Sequence, residues 1–300
     1  MNYKKILLIA VVTFWTIITS VNVLSASEPW RQGIYLTQST AENSSYIQYL
    51  INQSKEAGIN TFVIDMEHMK THNYQKNIQL VKQNGIKYVA RIVVFDDGGT
   101  DAEILSESYW EKKYQLVNQA IQFGADEIQL DYIRYASTQP PSQQNAQNIY
   151  RVIKWYKNKL TPQNIPLEID VFGVSTFGDS VYIGQSLTLF YDAVDAMCPM
   201  VYPSHYEPYQ KYAKMPYYAV HSSLAAMRKQ FYGNIPFKVY PFIELYNYRY
   251  PLSQQEKIKY ISAEIQAVKD SDVDGWYSWN PHNKYDILFS ILKNEKDSSD

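Results

Sequence analysis

Gln129-Leu130-Asp131-Tyr132-Ile133-Arg134-Tyr135 reads as a β-strand with a carboxylate at its exit. Glu168-Ile169-Asp170-Val171-Phe172-Gly173 repeats the pattern. Two strands that each deliver an acid to the same end of a sheet predict a pocket at that end. Outward from them, short apolar β-rich runs occupy residues 33–37, 61–67, 88–95, 127–135, 167–174, 193–202, 237–245 and 275–280. Helical segments lie between. Ser39 with Glu42, and Ser253 with Glu256, have capping-box spacing. Gly58, Gly85 and Gly124 each fall between a helical stretch and a strand, the usual helix-ending position. Eight β/α units in about 270 residues predict an α/β fold of the (β/α)8 TIM-barrel type. A doubly wound sheet would carry a glycine-rich phosphate turn after its first strand. Here that turn is Tyr35-Leu36-Thr37-Gln38-Ser39, without glycine. Insertions at 136–148 and 203–221 follow strand C-terminal ends, where barrel enzymes build their active sites.

Strand residues alternate between faces. One parity of each strand is apolar and is expected to face the helices; the other carries the polar residues and is expected to face the barrel axis. Asp65, Arg91, Asp131, Asp170 and Glu244 fall on the inward parity, and the first strand sends Tyr35 the same way. A buried carboxylate costs several kcal/mol unless paired. Four acids and one arginine in a barrel mouth therefore point to chemistry, with a structural ion pair around Arg91 as the bland alternative. Paired carboxylates suit glycoside hydrolysis: one protonates the leaving oxygen, the other attacks the anomeric carbon or activates water. Asp131 and Asp170, on neighbouring strands, fit that pair; Glu244, across the barrel, is the competing partner. Tyr132, Tyr135, Tyr202, Tyr206, Tyr246 and Trp279 cluster at strand exits and loops, where aromatic faces can stack on sugar rings. His205 follows the sixth strand and could bond a substrate hydroxyl.

Composition excludes several classes. The 300 residues are 46% hydrophobic and 19% charged, with a formal net charge of -2, so no nucleic-acid partner is implied. The one cysteine, Cys198, excludes an intramolecular disulfide and a cysteine-built metal site, and it reads as a small buried hydrophobe. His68 and His72 have i, i+4 spacing but lack the pattern of a zinc protease, so no metal or other cofactor is expected. No Gly-x-Ser-x-Gly elbow supports a serine hydrolase. Lys4 and Lys5 precede the apolar run Ile6 to Thr19 and then Ser25-Ala26-Ser27, the pattern of a secretory signal peptide. An uncleaved N-terminal anchor is the alternative, since Ile6 to Leu24 approaches the ~20 residues a membrane helix needs. Cleavage removes two lysines and no acid, taking the net charge from -2 to -4.

Leu130-Asp131-Tyr132-Ile133-Arg134-Tyr135, Asp170-Val171-Phe172-Gly173, Ile183-Gly184-Gln185 and Pro199-Met200-Val201-Tyr202-Pro203-Ser204-His205-Tyr206 carry a resemblance. Together they resemble the putative glycoside hydrolase domain family of bacterial exported proteins (DUF4015). Gly33-Ile34-Tyr35-Leu36-Thr37 and Arg91-Ile92-Val93-Val94-Phe95 fit its opening strands, so the resemblance spans residues 31–285. It implies a glycosidase-like TIM barrel. The seventh strand departs from the expected Arg-Pro-Trp-hydrophobic-Gln: this chain has Tyr240-Pro241-Phe242-Ile243-Glu244. A glutamine in relatives at position 244 would make Glu244 a binding residue, which favours Asp131 with Asp170.

The sequence thus predicts a leader or anchor at 1–27, one barrel domain at 28–292 and a disordered tail at 293–300. The expected protein is exported (periplasmic, cell-envelope or secreted) and cleaves a poly- or oligosaccharide. It needs no obligatory protein partner and touches membrane only through an uncleaved N-terminus. Asp131 is expected as nucleophile or anion stabiliser and Asp170 as acid/base. Tyr35, Asp65, Arg91, Tyr135, Tyr202, His205, Glu244 and Trp279 are expected in the binding shell. A non-catalytic carbohydrate-binding or envelope-scaffold protein on a degenerate barrel is the alternative.

Overall fold

Nine parallel strands build the centre of the molecule: β1 (Arg31–Leu36), β2 (Thr61–Asp65), β3 (Lys87–Val93), β4 (Glu127–Asp131), β5 (Leu167–Phe172), β6 (Ala196–Met200), β7 (Lys238–Val239), β8 (Phe242–Glu244) and β9 (Gly275–Trp279). This computed structural model describes residues 29–68 and 72–297. The expected leader at 1–27 lies outside the described residues, as do the last three residues. β7 and β8 are two pieces of one stave, separated at Tyr240-Pro241, and both pair with β6. Proline has no N–H to give a ladder, which accounts for the interruption. β1 pairs with both β2 and β9, and β5 pairs with β6, so the sheet closes on itself. The result is the expected (β/α)8 TIM barrel.

Helices Ser44–Ala57, His72–Gln83, Glu107–Gln122, Gln143–Leu160, Pro216–Gln230, Gln254–Lys269 and Asp286–Asp297 form the outer ring. The crossover from β5 to β6 holds only short helical turns, Gly173–Phe177 and Leu187–Phe190 among them. Among the described residues, no helix is long and apolar enough to cross a membrane. The local signals act as read: Gly58, Gly85 and Gly124 all have positive φ, and Ser253 with Glu256 forms both bonds of a capping box. Ser39 does not cap; Thr37, two residues earlier, takes that role by accepting from the Thr40 N–H. Of the tail expected to be disordered at 293–300, residues 293–297 are helical instead, and 298–300 lie outside the described residues. The last helix continues through Asp297, because Leu288, Phe289, Ile291 and Leu292 bury one of its faces against the core.

Strand parity sorts the core into two bodies. Phe62, Ile64, Ala90, Ile92, Ile128, Leu130, Ile169 and Val171 pack outward under the helices. Tyr35, Val63, Val89, Cys198, Tyr240, Phe242 and Tyr277 fill the barrel. Low in the barrel, Arg31 donates to Glu127 at 2.7 Å and 2.8 Å and to Glu168 at 2.7 Å, with Tyr240 beneath its guanidinium. Cys198 is fully buried and its thiol lies 3.4 Å from both Gln129 and Glu168.

Candidate active site

Arg91 stands at the centre of the barrel mouth because β3 places it on the inward parity beside the ends of β2, β4 and β5. Its Nη1 pairs with Asp65 and its Nη2 with Asp131, while Nε lies 3.4 Å from Asp170 Oδ2. Tyr35 donates to the other oxygen of Asp65. Asp65 therefore has both oxygens engaged and only 2% exposure, and it holds Arg91 in place. It does not reach the pocket, which corrects its expected place in the binding shell.

The two remaining acids sit in contrasting surroundings. Asp131 is held on one oxygen by Arg91 and on the other by the backbone N–H of Tyr132. That N–H is aimed inward because Tyr132 adopts a left-handed backbone (φ 51°) at the end of β4. Asp170 is buried at 2% exposure, and its Oδ1 has no hydrogen-bond partner. Burial first, and then the neighbouring negative charge of Asp131, push its carboxyl well above the usual range against the opposing pull of Arg91.

Above these acids opens a pocket of about 330 Å³. Tyr35, Arg91, Asp131, Asp170, Tyr202, His205 and Trp279 line it, so seven expected site residues are brought together. Tyr202 stacks on Trp279 with ring centroids 5.5 Å apart and meets His205 edge-on at 5.2 Å. Burial and the charges of Asp170 and Asp131 raise the Tyr202 phenol, which keeps it a hydrogen-bond donor. Partial desolvation and the Arg249 charge lower His205, which favours its neutral imidazole.

Besides Asp65, two expected members are elsewhere. The left-handed turn at Tyr132 ends the alternation of β4, so Tyr135 does not continue inward. Its ring is buried outside the barrel, where its hydroxyl donates to Asp101 at 2.9 Å and accepts from Asn148 at 2.8 Å. Glu244 is fully buried beneath the 203–205 turn. Its oxygens accept from the Ser204 N–H at 3.0 Å, the Ser204 hydroxyl at 2.6 Å and Tyr260 at 2.8 Å, which leaves none for a ligand. Conversely, Tyr132, Phe172, Val174, Met200, Tyr206 and Phe242 also line the pocket. Phe172, Met200 and Phe242 share the inward parity of Asp170, Cys198 and Tyr240, so alternation alone points to them. Tyr206 reaches the wall because position 173 is glycine; a Cβ there would overlap its hydroxyl and the Met200 carbonyl.

The family model described as putative glycosyl hydrolase domain (DUF4015) matches residues 100–285, more than half of the chain. The chain belongs to this family. No curated protein matches it by sequence. Among solved structures, the Bacillus cereus spore cortex-lytic enzyme SleL superposes with a TM-score of 0.63 at 12% identity, over 88% of this chain and 74% of that one. The chitinase of Chromobacterium violaceum gives 0.59 at 12% identity, over 88% and 98%. The endo-β-1,4-mannanase of Thermotoga petrophila gives 0.59 at 11% identity, over 90% and 76%. At such identities the shared feature is the barrel. Family and fold together make this a glycosyl hydrolase barrel.

Proposed function

We propose that this protein hydrolyses glycosidic bonds in a poly- or oligosaccharide, with Asp170 as acid/base and Asp131 as nucleophile or anion stabiliser. One observation carries the reading. Two carboxylates share one guanidinium at the floor of an aromatic pocket, and burial raises the carboxyl of one of them, Asp170. Protonated Asp170 gives its proton to the departing glycosidic oxygen. Asp131, the second acid of the pair, faces the positive charge that develops at the anomeric carbon. Tyr202, Trp279 and His205 hold the sugar ring. The Lys4-to-Ser27 pattern supports export, and hence a glycan met outside the cytoplasm. The likeness to cortex-lytic, chitinase and mannanase barrels makes amino-sugar and β-1,4-linked glycans the first to try.

Arg91 also favours a second reading, a carbohydrate-binding barrel without turnover, because it already neutralises Asp131. One experiment separates the two. The protein, its Asp131→Asn variant and its Asp170→Asn variant are incubated with peptidoglycan, chitin, mannan and bacterial exopolysaccharides, and new reducing ends are measured. Release by the parent alone is expected. Full activity in Asp131→Asn would sink the assignment, and glycan binding without release by any protein would establish the binding-only reading.

A further inference from the structure

The pocket has a neighbour. Val174, His205 and Tyr206 line it on one side and also line a second cleft of about 520 Å³. The far wall of that cleft is aromatic, with Phe177, Tyr209, Tyr212 and Tyr218. Phe177 is 55% exposed and meets Tyr206 edge-on at 6.0 Å; Tyr218 is 51% exposed and stacks on Tyr212 at 6.2 Å. Large aromatics standing in solvent side by side have a cost in water unless something covers them. Elsewhere on the pocket wall, Trp279 meets Tyr246 at 6.1 Å. Tyr246 is 40% exposed and lines a third cavity of about 870 Å³ together with His282, Lys257 and Lys284. Arg249 ties the two outer cavities together over the 203–209 loop, donating to the Ser204 carbonyl at 2.8 Å and lying over the Tyr209 ring at 4.7 Å.

We infer that the catalytic pocket is the middle of a trough across the barrel mouth, whose aromatic arm at Phe177 and Tyr218 stacks further sugar rings, so that cleavage falls inside a glycan chain. This deepens the proposed glycosidase reading and rests on it for turnover, but not for binding. At about 330 Å³ the central pocket is near the lower limit for a ligand site. A longer substrate must continue into one or both neighbours. Exposed aromatic faces with tyrosine hydroxyls at their edges suit the alternating C–H faces and hydroxyl rims of pyranose rings.

The test uses β-1,4-linked N-acetylglucosamine and mannose oligomers of two to six units, with the protein and its Phe177→Ala/Tyr218→Ala double variant. Both positions are more than half exposed, so the fold tolerates truncation. The parent is expected to show kcat/KM rising with oligomer length, with cuts at internal bonds. In the double variant the hexamer-to-dimer ratio of kcat/KM should fall about tenfold, the size of one or two lost aromatic contacts. An unchanged ratio, or release of terminal units only, overturns the inference. Titration calorimetry of the same oligomers into both proteins supplies a second readout. Hexamer binding that weakens in the double variant, with no hydrolysis by the parent, keeps the trough and removes the glycosidase reading. Equal hexamer affinity in both proteins, or binding of neither series, overturns the trough itself.

Discussion

Asp131 and Asp170 are the same side chain placed on neighbouring strands, and their surroundings differ. Asp131 receives a guanidinium and a backbone N–H; Asp170 receives burial and one unfilled oxygen. If Asp170 is the proton donor, activity requires its protonated form. Because its carboxyl is raised, that form persists above the pH at which a free aspartate ionises, and activity falls as pH climbs through the raised value. Asp170→Asn is expected to lower kcat by ~10²–10⁴-fold and to remove this alkaline limb. A kcat–pH profile of both proteins checks it; an alkaline limb that survives in the variant assigns the titration to another group.

Elements decide where such side chains end up. The left-handed turn at Tyr132 stops β4 at its acid and diverts Tyr135 to the outer core. The seventh stave ends at Glu244, under a turn whose Ser204 N–H needs an acceptor. The helix Gln254–Lys269 brings Glu264 to the same place, where its Oε1 accepts from the Glu244 N–H at 3.2 Å and its Oε2 has no partner. Burial raises Glu244 to about 7, against the pull of its Ser204 and Tyr260 hydrogen bonds. Burial and the Glu244 charge raise Glu264 further. Both acids are protonated more readily in the folded state than in the unfolded chain. Their favourable contribution is thus complete below the ordinary glutamate value of 4.5, and the part due to Glu244 is lost as pH rises through about 7. Glu264→Gln keeps the acceptor and removes the charge. It should raise Tm at pH 8 and leave it nearly unchanged at pH 4, read by thermal melts at both values. A gain of equal size at both would assign the effect to packing.

Across the whole molecule, closure of the barrel rests on polar links as well as apolar layers. Arg31 from β1 binds Glu127 of β4 and Glu168 of β5 across the interior, and these partners lie 96 and 137 residues away in sequence. Burial opposes charge on Glu127, but hydrogen bonds from Glu168 and Arg31, with the Arg31 and Lys87 charges, lower it to about 2. Burial and the Glu127 charge raise Glu168, so it holds the proton of the pair. Arg31→Met leaves these acids without their central cation. It is expected to cost ~3–5 kcal/mol, a fall in Tm of roughly 10 °C for a domain of this size. A melt that moves by less than a degree would show that the network is dispensable.

The chain by itself determined the repeat of eight strands, the parity that separates helix-facing from axis-facing residues, and the helix ends at Gly58, Gly85 and Gly124. These follow from alternation and from residue types with steep local preferences, which act between near neighbours. Parity also placed Tyr35, Arg91, Asp131 and Asp170 at one mouth, since it fixes both face and end of each strand. The tertiary structure alone decided the fates of Tyr135 and Glu244, the role of Arg31 and the second cleft that shares Tyr206 with the pocket. Each depends on a backbone turn, or on a partner far away in sequence, that competes for the side chain. Alternation says which way a residue points; only packing says what it meets there.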